Sequence, residues 1–138
     1  MKLDEFTVEF QVRDYECDFQ GIVNNAVYLN YLEHCRHEFA KHLGLNVVAL
    51  ARQGINLVVI RVEMDYKSPL RSGDHFLVNT SIEQYSRIRL AFHQKILHRD
   101  TGRLIMTAHI ITAAMNSQGK PFFPEELKIL FHEVTNLK

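Results

Sequence analysis

One long helical pattern constrains the fold of this chain more than any other feature of its sequence. Apolar residues recur at spacings of three or four in a stretch that ends near Leu43, as on one face of an α-helix. The stripe consists of Tyr28, Leu32, Cys35, Phe39 and Leu43, with Leu29, Arg36 and Ala40 beside it. Because such a helix of about eighteen residues spans roughly 27 Å, it needs an equally long partner to bury its wide apolar face.

Long runs of alternating apolar and polar residues precede and follow this helix. Such alternation predicts strands that bury one face. The runs are Phe6–Arg13 before the helix and Val58–Lys67, His75–Tyr85, Ile88–Arg99 and Arg103–Met115 after it. The last two runs are joined by Asp100-Thr101-Gly102, a short loop typical of a β-hairpin.

Two shorter helices are predicted as well. One covers Val47–Arg52, and the other opens at Pro124. The apolar face of the last helix consists of Leu127, Leu130, Phe131 and Val134. In the long helix, Gly44 is expected to form the C-terminal cap. Its exposed side is expected to hold two ion pairs at i,i+4 spacing, Glu33 with His37 and Glu38 with His42.

This order of elements predicts an α+β fold, in which a curved, mainly antiparallel five-stranded sheet wraps around the long central helix. A length of 138 residues suits one domain with a single core, spanning residues 1–138. The sequence contains no internal repeat, linker or low-complexity segment that would divide it.

The balance of charge excludes some classes of partner. Sixteen basic and sixteen acidic side chains leave no net charge, so no global field attracts nucleic acid or an anionic membrane. No apolar run approaches the ~20 residues of a membrane span, and the charged first residues do not resemble a signal peptide. A cytoplasmic location is therefore expected, with Cys17 and Cys35 as free thiols.

The segment between the first strand and the long helix carries the candidate chemistry. Asp18 precedes the helix, and Asn24 or Asn25 suits the N-cap position. Gly21 marks a turn that is expected to need a backbone conformation unfavourable for other residues. The first turn of a helix has free N–H groups, and we expect this helix start to be buried. A carboxylate beside such donors suits attack on a carbonyl group.

These residues resemble a known family. The segment Glu16-Cys17-Asp18-Phe19-Gln20-Gly21-Ile22-Val23, followed by Tyr28 and by Glu33-His34-Cys35-Arg36, is similar to the pattern of hotdog-fold acyl-CoA thioesterases of the 4-hydroxybenzoyl-CoA thioesterase type. The resemblance implies that Asp18 is the catalytic carboxylate and that the N–H of Asn25 polarises the thioester carbonyl. It also implies a homodimer or homotetramer with sites between paired subunits. Family members often place histidine or an aromatic residue at the position of Asn25, so the acyl group is not carried over.

Several residue roles remain open at this stage. Asp18 would act as nucleophile or as general base on a water molecule, whereas a loop aspartate more commonly bonds its own turn. Asp14 and Glu16 are expected to be solvated or turn-forming. Glu33 lies too far along the helix to share the donors at its start, and we expect it to pair with Arg36 or His37.

Substrate-binding residues follow from the same resemblance. Gly21 and Tyr28 are expected at the pocket, although Tyr28 would otherwise simply pack in the core. Coenzyme A carries phosphates, and Arg87, Arg89 and Lys120 resemble the family positions that would meet them. Arg71 is a further exposed candidate. Coenzyme A is part of the substrate, so no separate cofactor is expected, and the eight histidines lack metal-ligand spacing.

The sequence thus predicts an acyl-CoA thioesterase that releases a carboxylic acid and coenzyme A. Two alternatives remain: a hotdog hydratase or dehydratase that uses a histidine, and an acyl-CoA-binding module without catalysis. The acyl chain, and the choice between coenzyme A and acyl-carrier protein, are left open.

Overall fold

The computed structural model describes residues 5–136, and the side chains of residues 5–132. Three α-helices and six strands form the fold, together with one short 3-10 turn at Asp14–Glu16. The strands are β1 (Phe6–Gln11), β2 (Asn56–Tyr66), β3 (His75–Gln84), β4 (Arg89–His98), β5 (Leu104–Met115) and β6 (Pro121–Phe122). The helices are α1 (Val27–His42), α2 (Val47–Arg52) and α3 (Glu125–Asn136).

All strand pairs are antiparallel, and the sheet runs in the order β1-β3-β4-β5-β2. The predicted α+β class and five-stranded sheet around a long helix are confirmed. The sheet gains a sixth strand, because β6 pairs with the end of β5. β6 has two residues and begins with Pro121, so it carries no alternation from which a strand could be predicted.

Helix α1 lies against the sheet as its apolar stripe predicts. Leu32, Cys35 and Phe39 are at most 1% exposed, and the Phe39 ring stacks on Phe6 of β1 at 5.5 Å. Gly44 has φ +79°, a left-handed conformation that suits the predicted C-terminal cap.

A buried polar contact fixes α1 across the middle of the sheet. Gln94 of β4 is 3% exposed, and its Nε2 donates to the carbonyl of Leu32 and to Thr80 Oγ1, both at 3.0 Å. Arg36 donates to Gln94 Oε1 at 3.1 Å. Because every polar atom of the Gln94 side chain is used, this glutamine sets the position of α1 along the sheet.

The alternation predicted for β2 is interrupted. The register passes from Val59 opposite Thr112 to Arg61 opposite Ile111, which leaves Ile60 as a bulge. Leu57 and Met64, an odd and an even position, therefore both pack against the core. The extra residue shifts the period by one, so Val58 and Ile60 do not continue the face of Met64.

One of the two ion pairs predicted for α1 is confirmed, and the other is wrong. His37 and Glu33 lie 3.8 Å apart, as expected. Glu38 pairs with Lys41 instead of His42, because the His42 ring packs on Phe6 at 4.9 Å.

The last helix buries three of its four predicted apolar residues. Leu127, Leu130 and Phe131 are buried, and the side chain of Val134 lies outside the described residues. Within residues 5–136, none of the helices has the length and apolar character of a membrane span.

Candidate active site

The loop between β1 and α1 is held by main-chain hydrogen bonds. Asp18 N–H donates to the Ile22 carbonyl at 2.9 Å, and Gly21 N–H donates to the Asp18 carbonyl at 3.0 Å. Isolated antiparallel bridges join Cys17 to Val23 and Ile22 to Arg71. Gly21 has φ +81°, a conformation that L side chains resist. The glycine therefore closes the tight turn that carries Asp18.

Asp18 is half-buried and lines a pocket of about 430 Å³ at the start of α1. Its Oδ1 accepts from Gln20 N–H at 2.8 Å, which is the common turn-bonding role of a loop aspartate. Within the described residues, Oδ2 accepts no hydrogen bond. One carboxylate oxygen thus fixes the side chain, and the other remains available for chemistry.

The two asparagines have different roles. Asn24 Oδ1 accepts from Ala26 N–H at 2.9 Å, and the Asn24 carbonyl accepts from Val27 N–H, so Asn24 organises the turn before the helix. Neither asparagine is the predicted N-cap, because Ala26 occupies that position without a side-chain hydrogen bond. Asn25 lines the pocket, and its N–H has no hydrogen-bond partner in the described part of the chain. Asp18 and Asn25, whose free N–H lies near the positive end of α1, therefore line the same pocket.

Two tyrosines, Tyr28 and Tyr66, also line this pocket. Tyr28 is 3% exposed, its hydroxyl accepts from Leu70 N–H at 3.3 Å, and burial raises the pKa of this phenol. Tyr66 contacts the Tyr28 ring at 5.5 Å and donates to the Asn25 carbonyl at 2.9 Å. Tyr28 thus both packs in the core and lines the pocket, and Tyr66 holds the Asn25–Ala26 peptide group.

Sequence reasoning missed Tyr66 and the residues after it, Lys67, Ser68 and Pro69, which also line the pocket. The available signal was topological, since the end of a strand that covers a helix can lie against the start of that helix.

The expected burial of the helix start is not found, because Asn25 is exposed. The pocket is therefore open to solvent on this side.

Glu16 differs from its predicted role. It lies in the 3-10 turn, as expected, but it is 9% exposed rather than solvated. Its Oε1 accepts from Arg13 N–H at 2.8 Å, where β1 ends. The Tyr31 hydroxyl is buried without a hydrogen-bond partner in the described residues. Burial first, and then the neighbouring Glu16 carboxylate, raise the pKa of Tyr31, so the phenol stays neutral beside that acid.

The structure does not bring the predicted phosphate-binding residues to Asp18 within one subunit. Arg89 pairs with Ala113 on β5, whereas Tyr66 at the pocket pairs with Met106. Seven residues of strand separate these levels by about 23 Å. Arg89 instead lines a second groove with Arg61 and Tyr85. Arg87 lies in the β3–β4 turn, two residues before Arg89. Lys120 immediately precedes Pro121, which lines the same groove.

The described residues contain no set of three His, Cys, Asp or Glu side chains arranged to hold a metal ion. Cys17 and Cys35 are free thiols, as predicted.

Comparisons with known proteins relate this architecture to thioesterases. The family model of the thioesterase-like superfamily matches residues 12–131. Over 114 residues the chain is 41% identical to a chloroplastic acyl-acyl carrier protein thioesterase of Arabidopsis thaliana, a match that covers 83% of this chain. The chain spans 60% of the length of that relative.

Two further comparisons also relate the chain to thioesterases. A putative acyl-CoA thioesterase of Bacillus subtilis is 32% identical over 100 residues, which cover 72% of each protein. A 1,4-dihydroxy-2-naphthoyl-CoA thioesterase structure from Synechocystis superposes with a TM-score of 0.87 at 21% identity, covering 96% of this chain and 98% of the other. This likeness confirms the hotdog fold.

Proposed function

The chain belongs to the thioesterase-like superfamily, and on that basis we propose that it is an acyl-CoA thioesterase. It hydrolyses the thioester to a carboxylic acid and free coenzyme A. The observation that carries this proposal is the shared pocket of Asp18 and the unpaired N–H of Asn25. An acid and an unpaired donor in one pocket match what attack on a carbonyl requires.

The Asn25 N–H stabilises the charge that develops on the carbonyl oxygen. As the carbonyl carbon is attacked, its oxygen gains negative charge, and a fixed donor at the start of α1 meets that charge without reorganising. The hydrogen bond from Tyr66 to the Asn25 carbonyl holds the next peptide group, Asn25–Ala26, and so restricts the backbone that carries this donor. Removing one such donor from other enzymes costs about 3–4 kcal/mol of transition-state stabilisation.

Asp18 acts in one of two ways. As a nucleophile, its carboxylate oxygen bonds to the carbonyl carbon, the C–S bond breaks, and coenzyme A leaves as a thiolate. Water then hydrolyses the mixed anhydride and regenerates the carboxylate. As a general base, Asp18 takes a proton from the water that attacks the carbonyl carbon, and that proton passes to the leaving sulfur. Turnover in ¹⁸O-labelled water identifies the anhydride route in which water attacks the Asp18 carbonyl, because that route alone labels the Asp18 side chain. Trapping the acyl-enzyme with hydroxylamine identifies the anhydride when water attacks the acyl carbonyl instead.

The proposal is tested with a thiol-release assay over short, long, branched and aromatic acyl-CoAs, run beside Asp18→Asn. We expect release from some members of the panel. Asp18→Asn should lose at least about a thousandfold in kcat, as the loss of a catalytic group does elsewhere. Its folding and acyl-CoA binding should be preserved, as checked by circular dichroism and titration calorimetry. Turnover near that of the wild type would contradict the role of Asp18.

The same assay addresses the alternatives. Acyl-CoA binding with no thiol release from any panel member would indicate a binding module. The hydratase alternative requires a histidine at the reacting carbon, and among the described residues no histidine lines the Asp18 pocket.

We further propose that two copies pair through β2. This edge strand leaves one row of backbone groups unpaired, and its Val58, Val59, Ile60, Val62 and Tyr66 are 41–48% exposed. Antiparallel pairing of β2 with its own copy would extend the sheet. It would also bring the end of one subunit that carries Arg87, Arg89 and Lys120 to the Asp18 pocket of the other. The phosphates of coenzyme A would then meet these cations, and the open side of the pocket would be covered.

The remaining assignments are proposals of the same kind. The strands form one sheet around one helix, which supports a single domain over residues 1–138. The free thiols fit a reducing compartment such as the cytoplasm. The proposed hydrolysis uses water as its second substrate and needs no cofactor. A tetramer built from two such dimers remains an alternative to the dimer.

A further inference from the structure

Two histidines face each other on the side of the sheet turned away from α1. Gln94 of β4 bonds the Leu32 carbonyl of α1, so the side chain of its neighbour His93 projects from the opposite face. His109 of β5 is directly opposite His93 in the register of the two strands. The Nδ1 atoms of the two rings are 2.7 Å apart. We call His93 and His109 the histidine pair.

The hydrogen bonds of the pair assign its protons. Nε2 of His93 lies 2.5 Å from Glu83 Oε1, and a carboxylate accepts only from the N–H form of that nitrogen. Nδ1 of neutral His93 therefore carries a lone pair, which accepts the Nδ1 proton of His109. Within the described residues, Nε2 of His109 forms no hydrogen bond. When the His109 proton moves from Nδ1 to Nε2, two lone pairs converge on one point.

A metal ion fits between these two nitrogens after a small movement. Zn–N bonds of about 2.0–2.1 Å at a tetrahedral angle place two ligand nitrogens about 3.3 Å apart. The Nδ1 atoms of the pair must therefore separate by roughly 0.6 Å. His109 is exposed and His93 is partly exposed, so small changes in their side-chain torsions supply this movement.

Glu83 has the position of a residue that orients a metal ligand. Metal-binding histidines usually donate their second ring N–H to a carboxylate, which fixes the tautomer and makes the ligating nitrogen more basic. The contact between His93 Nε2 and Glu83 is of this kind. It holds the lone pair of His93 Nδ1 toward His109.

A third ligand is within reach on the next strand. Glu63 of β2 is directly opposite His109 in the strand register, at a spacing at which cross-strand side chains interact. Glu63 now pairs with Arg61 at 2.5 Å, and both side chains are exposed, so little stability is lost when this pair opens. Glu63 would become a ligand only by leaving Arg61. The described residues thus hold two preformed ligands here and not three.

The charges around the histidine pair favour a cation. Outward-facing positions next to the pair on β2, β3 and β4 carry more carboxylates than cations. The carboxylates are Glu63, Asp65 and Glu83, and the cations are Arg61 and Lys95. The local charge is therefore negative, although the whole chain has no net charge.

We propose that His93 and His109 bind a divalent transition-metal ion that prefers imidazole ligands, Zn²⁺ or Cu²⁺, with Glu63 as third ligand and water completing the coordination. The ion would join β2, β4 and β5 across the outer face of the sheet. The inference does not depend on the proposed thioesterase activity. Spacing along the chain does not reveal this site, because the two histidines lie 16 positions apart on different strands.

The test measures binding of Zn²⁺ to the metal-free chain, without an affinity tag, by titration calorimetry. The wild type should bind one ion per chain. His109→Ala should weaken binding about a hundredfold or more, because one histidine ligand remains. Glu83→Gln keeps both ligands and should weaken binding about 10- to 100-fold. His37→Ala is the matched control, since His37 is an exposed histidine of α1 that also pairs with a carboxylate, and it should bind as the wild type does.

Two further measurements report on the ligands directly. The electron paramagnetic resonance spectrum of bound Cu²⁺ should show two nitrogen ligands in the wild type and one in His109→Ala. Zn²⁺ should raise the Tm of the wild type and of His37→Ala but not that of His109→Ala, because an ion that binds only the folded chain stabilises it. Circular dichroism without metal checks the fold of each variant, and His93→Ala removes the other ligand should His109→Ala fail to fold.

Other outcomes would overturn the site. Equal Zn²⁺ affinity in the wild type and in His109→Ala would show that the pair is an ordinary hydrogen bond between two rings. A Cu²⁺ spectrum with a single nitrogen ligand in the wild type would refute joint coordination. A loss of binding in His37→Ala as large as that in His109→Ala would place the ion on α1.

Discussion

Tyr66 joins the end of β2 to the start of α1 through a single hydroxyl group. Its hydrogen bond to the Asn25 carbonyl holds the Asn25–Ala26 peptide group. The free N–H of Asn25 belongs to the preceding peptide group, which is joined to the held one through the Asn25 Cα. An N–H donor stabilises a developing oxyanion only if it is already oriented when the charge appears. The hydroxyl of Tyr66 is therefore expected to act on turnover more than on substrate binding.

Tyr66→Phe tests this expectation. Removing the hydroxyl takes away one neutral hydrogen bond, worth about 0.5–1.5 kcal/mol, so we expect kcat to fall about 3- to 10-fold with little change in KM. The assay uses an acyl-N-acetylcysteamine, which avoids contacts to the nucleotide of coenzyme A. Tyr85→Phe is the control, because Tyr85 lies in the groove of Arg89. A rise in KM at constant kcat would show that Tyr66 binds the acyl group instead.

The site could be predicted from the sequence where its residues are close together in the chain. Asp18 and Gly21 belong to one short segment, and the turn they form is local. Tyr66 and Lys67 lie 45 or more positions further on, and no local pattern connects them with that turn. The expected N-cap, Asn24 or Asn25, was wrong, because α1 begins one residue later and Ala26 occupies the N-cap position without a side-chain hydrogen bond. Residue preference alone did not fix where the backbone turns into the helix.

At the scale of secondary structure, Gln94 is the contact that joins α1 to the sheet. It lies under the middle of the helix and bonds the Leu32 carbonyl, Thr80 and Arg36. Burial lowers the pKa of the Arg36 guanidinium, which reflects the cost of placing this charge in the interior. The amide oxygen of Gln94 offsets part of that cost.

Gln94→Leu should therefore destabilise the fold. The leucine preserves much of the volume but leaves Arg36 and Thr80 without their partner, which we expect to lower the free energy of unfolding by about 1–3 kcal/mol. Urea denaturation measures the change. Gln84→Leu, at the exposed end of β3, should alter stability by less than about 0.5 kcal/mol. Equal effects of the two substitutions would show that Gln94 has no special role.

The bounds of most helices and strands were predicted within one or two residues, because apolar residues recur in each at the spacing typical of that structure. The two misses have physical causes. The bulge at Ile60 lies within a run of apolar residues, Leu57 to Ile60, where no polar residue reveals which side faces the core. The strand β6 is too short to show a period, and its pairing with β5 depends on the turn at Asn116–Lys120.

At the scale of the whole molecule, assembly should control activity. Val62 is an exposed apolar residue of the edge strand β2, at 41% exposure. If β2 pairs with its own copy, Val62→Lys places like charges near the two-fold axis and should release folded monomers with greatly reduced acyl-CoA hydrolysis. Sedimentation velocity measures the mass, and circular dichroism checks the fold.

Val48→Lys provides the matched control, because Val48 is 62% exposed but lies on α2, away from that edge. It should leave both mass and activity unchanged. A wild-type protein that is monomeric at assay concentration and fully active would refute the pairing.

The turn that carries Asp18 has a consequence for how such a protein could acquire new substrates. Its shape depends on main-chain bonds and on one glycine, so the side chains of Phe19 and Gln20 at its tip contribute almost nothing to its geometry. Substitutions at these two positions would leave the carboxylate where it is. Selection could therefore alter the entrance residue by residue while the reacting groups behind it remain unchanged, which separates the evolution of specificity from the maintenance of catalysis.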